Sequence, residues 1–170
     1  MAGGMKAEDL RAVQAPLKER YRNEPDAALV TLAAQATLGE GVTCNVRTGA
    51  AIAAAGLHPA TGGDGSALCS GDMLLEALAA CAGVTMRSVA TAMSIPIEGT
   101  VTAEGDLDFR GTLGVDRQAP VGFSTIRLTF TVDTDADDDQ LSKLIELTER
   151  YCVVLQTLNQ APVVSVVVDA

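Results

Sequence analysis

Two cysteines dominate the chemistry this sequence can offer. Cys81 and Cys152 lie 71 residues apart, and each falls inside a segment that reads as a long apolar helix. A thiol on one helix can be approached by a thiol on another, and such a pair can cycle between dithiol and disulfide. Little else competes, because the chain has four cysteines, one histidine and no tryptophan. Cys44, in an expected strand, and Cys69, just before a helix, read as small or incidental residues. A helix start beside Cys69 could still favour its thiolate. Successive cysteines are spaced by 25, 12 and 71 positions with no CxxC pair, so no metal site is expected. A Cys–His hydrolase would need the lone His58 to reach a thiol from a glycine-rich loop, and the spacing gives no support for that. No cofactor is expected either.

The elements that must hold these thiols follow from periodicity and punctuation. At 170 residues the chain can bury a core, and residues 1–170 read as a single domain with 1–25 as a helical lead-in. Apolar residues at Leu10, Val13, Leu17 and Tyr21 mark an amphipathic helix over 6–23, interrupted or restarted at Pro16. Alternation over 28–36 and 41–48, with Gly39-Glu40-Gly41 between, predicts a hairpin. Ala50 to Gly56 adds a short third strand, and 58–69 is loop by its Pro and Gly content. A helix runs from about Asp72 to Ser94, with Ser70 as its cap and Pro96 as its stop. Its stripes Leu74, Leu78, Cys81, Thr85 and Leu75, Ala79, Ala82, Val89 are apolar or small nearly all round, as in a buried helix. Strands are expected at 97–110 and 123–133, with a loop over 111–122, and the second long helix spans about 137–159. Pro162 stops that helix, and Val163 to Val168 reads as a final strand.

Composition narrows the partners. Hydrophobic residues are 48%, charged residues 20% and aromatics only 3%, so the core is built from Ala, Val, Leu and Ile and often needs a second chain to complete it. A net charge of −10 without a basic patch argues against nucleic acid and against an anionic membrane surface. Asp133, Asp135, Asp137, Asp138 and Asp139 lack the glycine of a calcium loop and lead into a helix, so they read as a solvated, dipole-favoured helix start. No apolar leader and no clean membrane-length run is read in the sequence. A cytoplasmic location is therefore expected, where any disulfide would be transient and catalytic.

The stretch Asp72-Met-Leu-Leu-Glu-Ala-Leu-Ala-Ala-Cys81-Ala-Gly-Val-Thr-Met-Arg87 resembles the first cysteine helix of the OsmC/Ohr family. Glu149-Arg-Tyr-Cys152-Val-Val-Leu-Gln-Thr-Leu158 is similar to that family's second cysteine motif. The Gly62-Gly63-Asp64-Gly65 loop and the lead-in Pro16-Leu-Lys-Glu-Arg-Tyr-Arg22 match as well, so the resemblance covers nearly the whole chain. It implies an α+β, OsmC-like fold: strongly bent antiparallel sheets wrapped around two long central helices in an intertwined homodimer. It further implies a thiol peroxidase for organic hydroperoxides or hydrogen peroxide. Cys81 would become the sulfenic acid, Cys152 would resolve it to a disulfide, and a dithiol such as a lipoyl group would reduce that disulfide.

The resemblance also implies an activating Arg in an early turn, held by a Glu at the start of the first helix. Here Gly71 stands ten residues before Cys81, Asp72 follows it, and Leu38-Gly39-Glu40-Gly41 puts an acid where the Arg is expected. Val153 and Leu155 replace the Pro and His often found after the second cysteine. Asp72, Arg47 and Arg87 are therefore the candidate thiolate-stabilising residues. Arg87 lies about 120° around the helix from Cys81 at about 100° per residue, so Arg47 is the better candidate. It competes with the reading of Arg47 as an exposed strand residue. Two further readings stay open: a non-catalytic, ligand-binding or redox-sensing OsmC-like dimer, and a structural dimer with inert thiols.

Overall fold

The computed structural model describes residues 6–24, 35–38, 43–48 and 51–168. Five α-helices and six strands fall within them. Helices α1 (Ala7–Asn23), α2 (Ser70–Met93), α3 (Phe109–Thr112), α4 (Asp138–Tyr151) and α5 (Val153–Asn159) alternate with strands β1 (Gln35–Leu38), β2 (Thr43–Thr48), β3 (Ala51–Gly56), β4 (Leu68–Cys69), β5 (Glu98–Asp106) and β6 (Thr125–Asp133). The result is a mixed α/β fold with two sheets, one ordered β1-β2-β3-β4 and the other β5-β6. The chain forms two compact units, one of Met1–Leu10, Ala77–Val101 and Phe130–Ala170, the other of Arg11–Glu76 and Thr102–Thr129.

In the second unit the expected hairpin forms as antiparallel β1 and β2, with Leu38 opposite Cys44 and Gln35 opposite Arg47. The expected turn over 39–41 and the start of the expected strand at 28–34 lie outside the described residues. The alanine-rich third strand also forms, with Ala55 opposite Cys44, and then pairs in parallel with the two-residue β4. The expected loop over 58–69 thus contains a single 3-10 turn at Pro59–Thr61 and ends in β4. Strand 97–110 stops earlier than the sequence suggests. Asp108 leaves the sheet to cap α3, its carboxylate accepting the Arg110 amide at 3.0 Å.

In the first unit Met86, Ala90, Ile95, Ile97 and Leu144 form a buried cluster. Val89, Met93, Phe130, Val132, Leu141 and Ile145 pack around it. The buried residues of α2 are Leu78, Ala82, Met86 and Ala90, one stripe at four-residue spacing. By length and composition alone α2 is long and apolar enough to cross a membrane, although Asp72, Glu76 and Arg87 interrupt its apolar run. Its end is a Schellman turn: Ser94 sits at φ +58, its amide bonds Thr91 at 3.1 Å, and the Ile95 amide bonds Ala90 at 2.9 Å. Strand β6 keeps the expected alternation across both units, with Ile126, Leu128, Phe130 and Val132 half-buried between exposed neighbours.

Three expectations change. Helix α1 runs unbroken through Pro16, because the carbonyl that Pro16 leaves unbonded belongs to exposed Ala12 and can face water. The second long helix is not continuous: it ends at Tyr151, and a new helix begins at Val153. Residues 163–168 form no strand, and their valines stand exposed. The acidic run does start a helix. The Asp137 carboxylate accepts the Gln140 amide at 2.8 Å, and the Gln140 side chain accepts the Asp137 amide at 3.2 Å.

Candidate active site

Cys81 rides half-buried on α2 and Cys152 is fully buried at the joint between α4 and α5. Both belong to the first unit, and both are free thiols. Cys152 is not inside a helix, as its sequence suggested, but between two. Its backbone is extended, at φ −74 and ψ 104. Its amide closes α4 on the Thr148 carbonyl at 3.0 Å, and its carbonyl opens α5 by accepting the Gln156 amide at 2.9 Å. The Gln156 side chain reaches back to the Glu149 carbonyl at 2.8 Å, satisfying an acceptor the break would strand. The one local signal for the break is the pair Val153-Val154, whose β-branched side chains weaken helix preference.

The break sets the electrostatics of the pair. A helix start leaves its first amides without a carbonyl one turn back, so Val153, Val154 and Leu155 carry uncommitted N–H groups. Burial pushes the Cys81 thiol up. The neighbouring Val154 amide, Cys152 thiol, Val153 amide and Thr85 hydroxyl together pull it below the ordinary thiol value. Cys152 moves the other way. Burial raises it, the Leu155 amide opposes that, and the hydrogen bond to Cys81 and the Cys81 charge raise it further. The two thiols are thus shifted in opposite directions, Cys81 down and Cys152 up. Thr85, one turn beyond Cys81, was legible as a helical neighbour; the two amides were not, because a continuous helix would have used them.

The other candidate residues take different places. The Arg87 guanidinium donates to the Ile97 carbonyl at 2.6 Å and lies 3.4 Å from the Glu98 carboxylate. It is not among the groups that act on Cys81. Arg47 lies on β2, opposite Gln35 and Ile52 by backbone register, and its side chain lies outside the described residues, as does that of Cys44. Asp72 occupies the first turn of α2, in the second unit. His58 Nδ1 accepts the Ala60 amide at 3.0 Å. A cavity of about 470 Å³ lies beside α2 at Ala79, Gly83 and Arg87, and neither thiol lines it. No cluster of metal ligands occurs among the described residues.

A family model described as OsmC-like protein matches residues 63–167, a span that holds both cysteines. No curated protein matches the chain. Among solved structures, an OsmC-like protein from Mycoplasma pneumoniae is 19% identical over 78% of this chain and 89% of its own, with a TM-score of 0.65. A Legionella pneumophila structure is described as an organic hydroperoxide resistance protein OsmC and predicted redox protein. It is 19% identical over 78% of this chain and 92% of its own, at a TM-score of 0.57. The organic hydroperoxide resistance protein OhrB of Bacillus subtilis is 21% identical over 79% and 94%, at 0.53. These likenesses concern the fold, whereas the family match covers well over half of the sequence together with both thiols: the chain belongs to the OsmC-like protein family.

Proposed function

We propose that the protein is a cysteine-based thiol peroxidase that reduces organic hydroperoxides. Family membership supports a general redox, peroxidase-like function. What supports the finer reading is the placement of both free thiols in one unit, Cys81 on α2 and Cys152 at the start of α5, with their pKa values moved in opposite directions. In this reading the Cys81 thiolate attacks the terminal peroxide oxygen. An S–O bond forms, the O–O bond breaks, and the departing alkoxide takes the proton of Cys152 to leave as an alcohol. The Cys152 thiolate so formed attacks the Cys81 sulfenic acid, expels hydroxide and closes the disulfide. A dithiol such as a lipoyl group then restores both thiols by exchange and leaves as its own disulfide.

Backbone amides and Thr85 serve in this reading in place of the guanidinium that the resemblance implies. The reaction needs no cofactor. The working form is an intertwined homodimer with bent sheets around the central helices, acting in the cytoplasm. The exposed Val84 on α2 and the exposed valines of 163–168 support a partner surface. The test is anaerobic reduction followed by one equivalent of cumene hydroperoxide. Peroxide loss, free thiols and the Cys81–Cys152 disulfide are followed by mass spectrometry. Rapid loss with that disulfide, and neither in Cys81→Ser, is the expected result. Persistent peroxide with all thiols reduced overturns the reading in favour of a ligand-binding or redox-sensing dimer.

A further inference from the structure

The second unit contains a cavity of about 330 Å³ that shares no residue with the thiol pair. This is at the small end of the range of about 300–1,000 Å³ that holds small molecules. Three rings line it in a chain whose aromatic content is only 3%. Phe109 stacks on His58, with centroids 4.9 Å apart and planes 19° from parallel. Phe123 packs against Gly105, where a Cβ would fall 2.5 Å from the ring. That contact makes Gly105 a requirement of the ring's position. The Ala60 amide fixes Nδ1 of His58 as an acceptor.

The carboxylates of this cavity differ in what they are doing. Asp106 is held by the Arg127 guanidinium, which donates to both of its oxygens. Asp72 lines the same wall and has no hydrogen-bond or ion-pair partner among the described residues. A carboxylate with no partner among the described residues, in the first turn of α2 and beside aromatic rings on a protein of net charge −10, is an arrangement that attracts a positive group. Anions are disfavoured here by Asp72, and a merely apolar ligand would leave its charge unused.

We propose that this cavity binds a small organic ammonium ion, its cationic head between Asp72 and the aromatic faces. The Cys69 thiol lines the cavity and is free, so it reports occupancy. The proposal goes beyond the peroxidase reading and is tested without peroxide.

The experiment titrates the full chain with benzyltrimethylammonium by calorimetry, beside its neutral isostere neopentylbenzene and the anion 3-phenylpropionate. Alkylation of Cys69 by iodoacetamide is followed by mass spectrometry in parallel. The cation is expected to bind at least about fivefold more tightly than the neutral isostere, and Asp72→Asn to remove that difference. Saturating cation should slow Cys69 alkylation, with no matching effect from the anion. Absence of cation binding overturns the proposal. So does equal affinity for the isostere, an unchanged preference in Asp72→Asn, or Cys69 alkylation that ignores the cation.

Discussion

Replacing Val153 by proline isolates what a single backbone amide does for Cys81. Val153 is the first residue of α5, where proline's fixed φ suits a helix start and its missing N–H costs no helical hydrogen bond. The preceding residue, Cys152, is extended at ψ 104, a conformation compatible with a following proline. The Val153 side chain is 69% exposed, so little packing is lost. What disappears is one N–H donated to a sulfur that bears charge. A hydrogen bond to a charged group contributes about 1.5 kcal/mol at the low end, and about 1.4 kcal/mol corresponds to one pKa unit. The Cys81 pKa should therefore rise and its alkylation at neutral pH slow several-fold, while Val153→Ala, which keeps the amide, leaves both in place. The assay is the pH dependence of Cys81 alkylation, resolved by mass spectrometry, with circular dichroism and thermal melts to confirm folding. A folded Val153→Pro protein with an unmoved Cys81 titration would refute the role given to the break.

The remaining expectations concern the same sulfurs and one helix end. Thr85→Val removes a hydroxyl that lowers the Cys81 thiol and should raise its pKa, by less than Val153→Pro does, read by the same alkylation profile. Cys152→Ser should still consume one equivalent of hydroperoxide but stop at the Cys81 sulfenic acid, trapped by dimedone and seen by mass. The folded Cys81 value lies below the unfolded one, so its thiolate stabilises the fold above the ordinary thiol range, and this contribution fades as pH falls through the folded value. In a Cys152→Ser background, the stability difference between Cys81 and Cys81→Ser should therefore grow with pH across that window, measured by urea unfolding. Ser94→Gly relieves a serine held at φ +58 and should stabilise the protein by about 0.5–1 kcal/mol, seen as a melting temperature higher by about 1–4 °C.

What the sequence discloses here depends on how far each structural signal reaches along the chain. Helix α2 and strand β6 were legible because each repeats its own period over many residues, so Leu78 to Ala90 and Ile126 to Val132 fall on the expected faces. Strand β2 was legible from the alternation of Cys44 and Val46, whereas β1 runs on to Leu38, past the expected end at Ala36, and the start of α4 was legible from its acidic run. The break at Cys152 was not. Every residue from Leu141 to Leu158 accepts a helix, and only Val153-Val154 leans against one. Whether a chain bends there is decided by tertiary contacts of a fully buried Cys152, and by Gln156 reaching a carbonyl seven residues back. The candidate site was half legible for the same reason: side chains announce themselves in a sequence, whereas an amide acquires a role only when the backbone frees it. The apolar run 163–168 met β-propensity but found no strand to pair with among the described residues.

The joint at Cys152 also gives the protein a gauge of its own chemical state. An amide without a carbonyl partner ordinarily exchanges its hydrogen quickly with water. Those of Val153 and Val154 act on the Cys81 sulfur, so their protection is expected to follow the charge on that sulfur. Protonation, oxidation or alkylation of one side chain on α2 is thereby written into the exchange rates and chemical shifts of two backbone hydrogens 72 and 73 positions further along the chain.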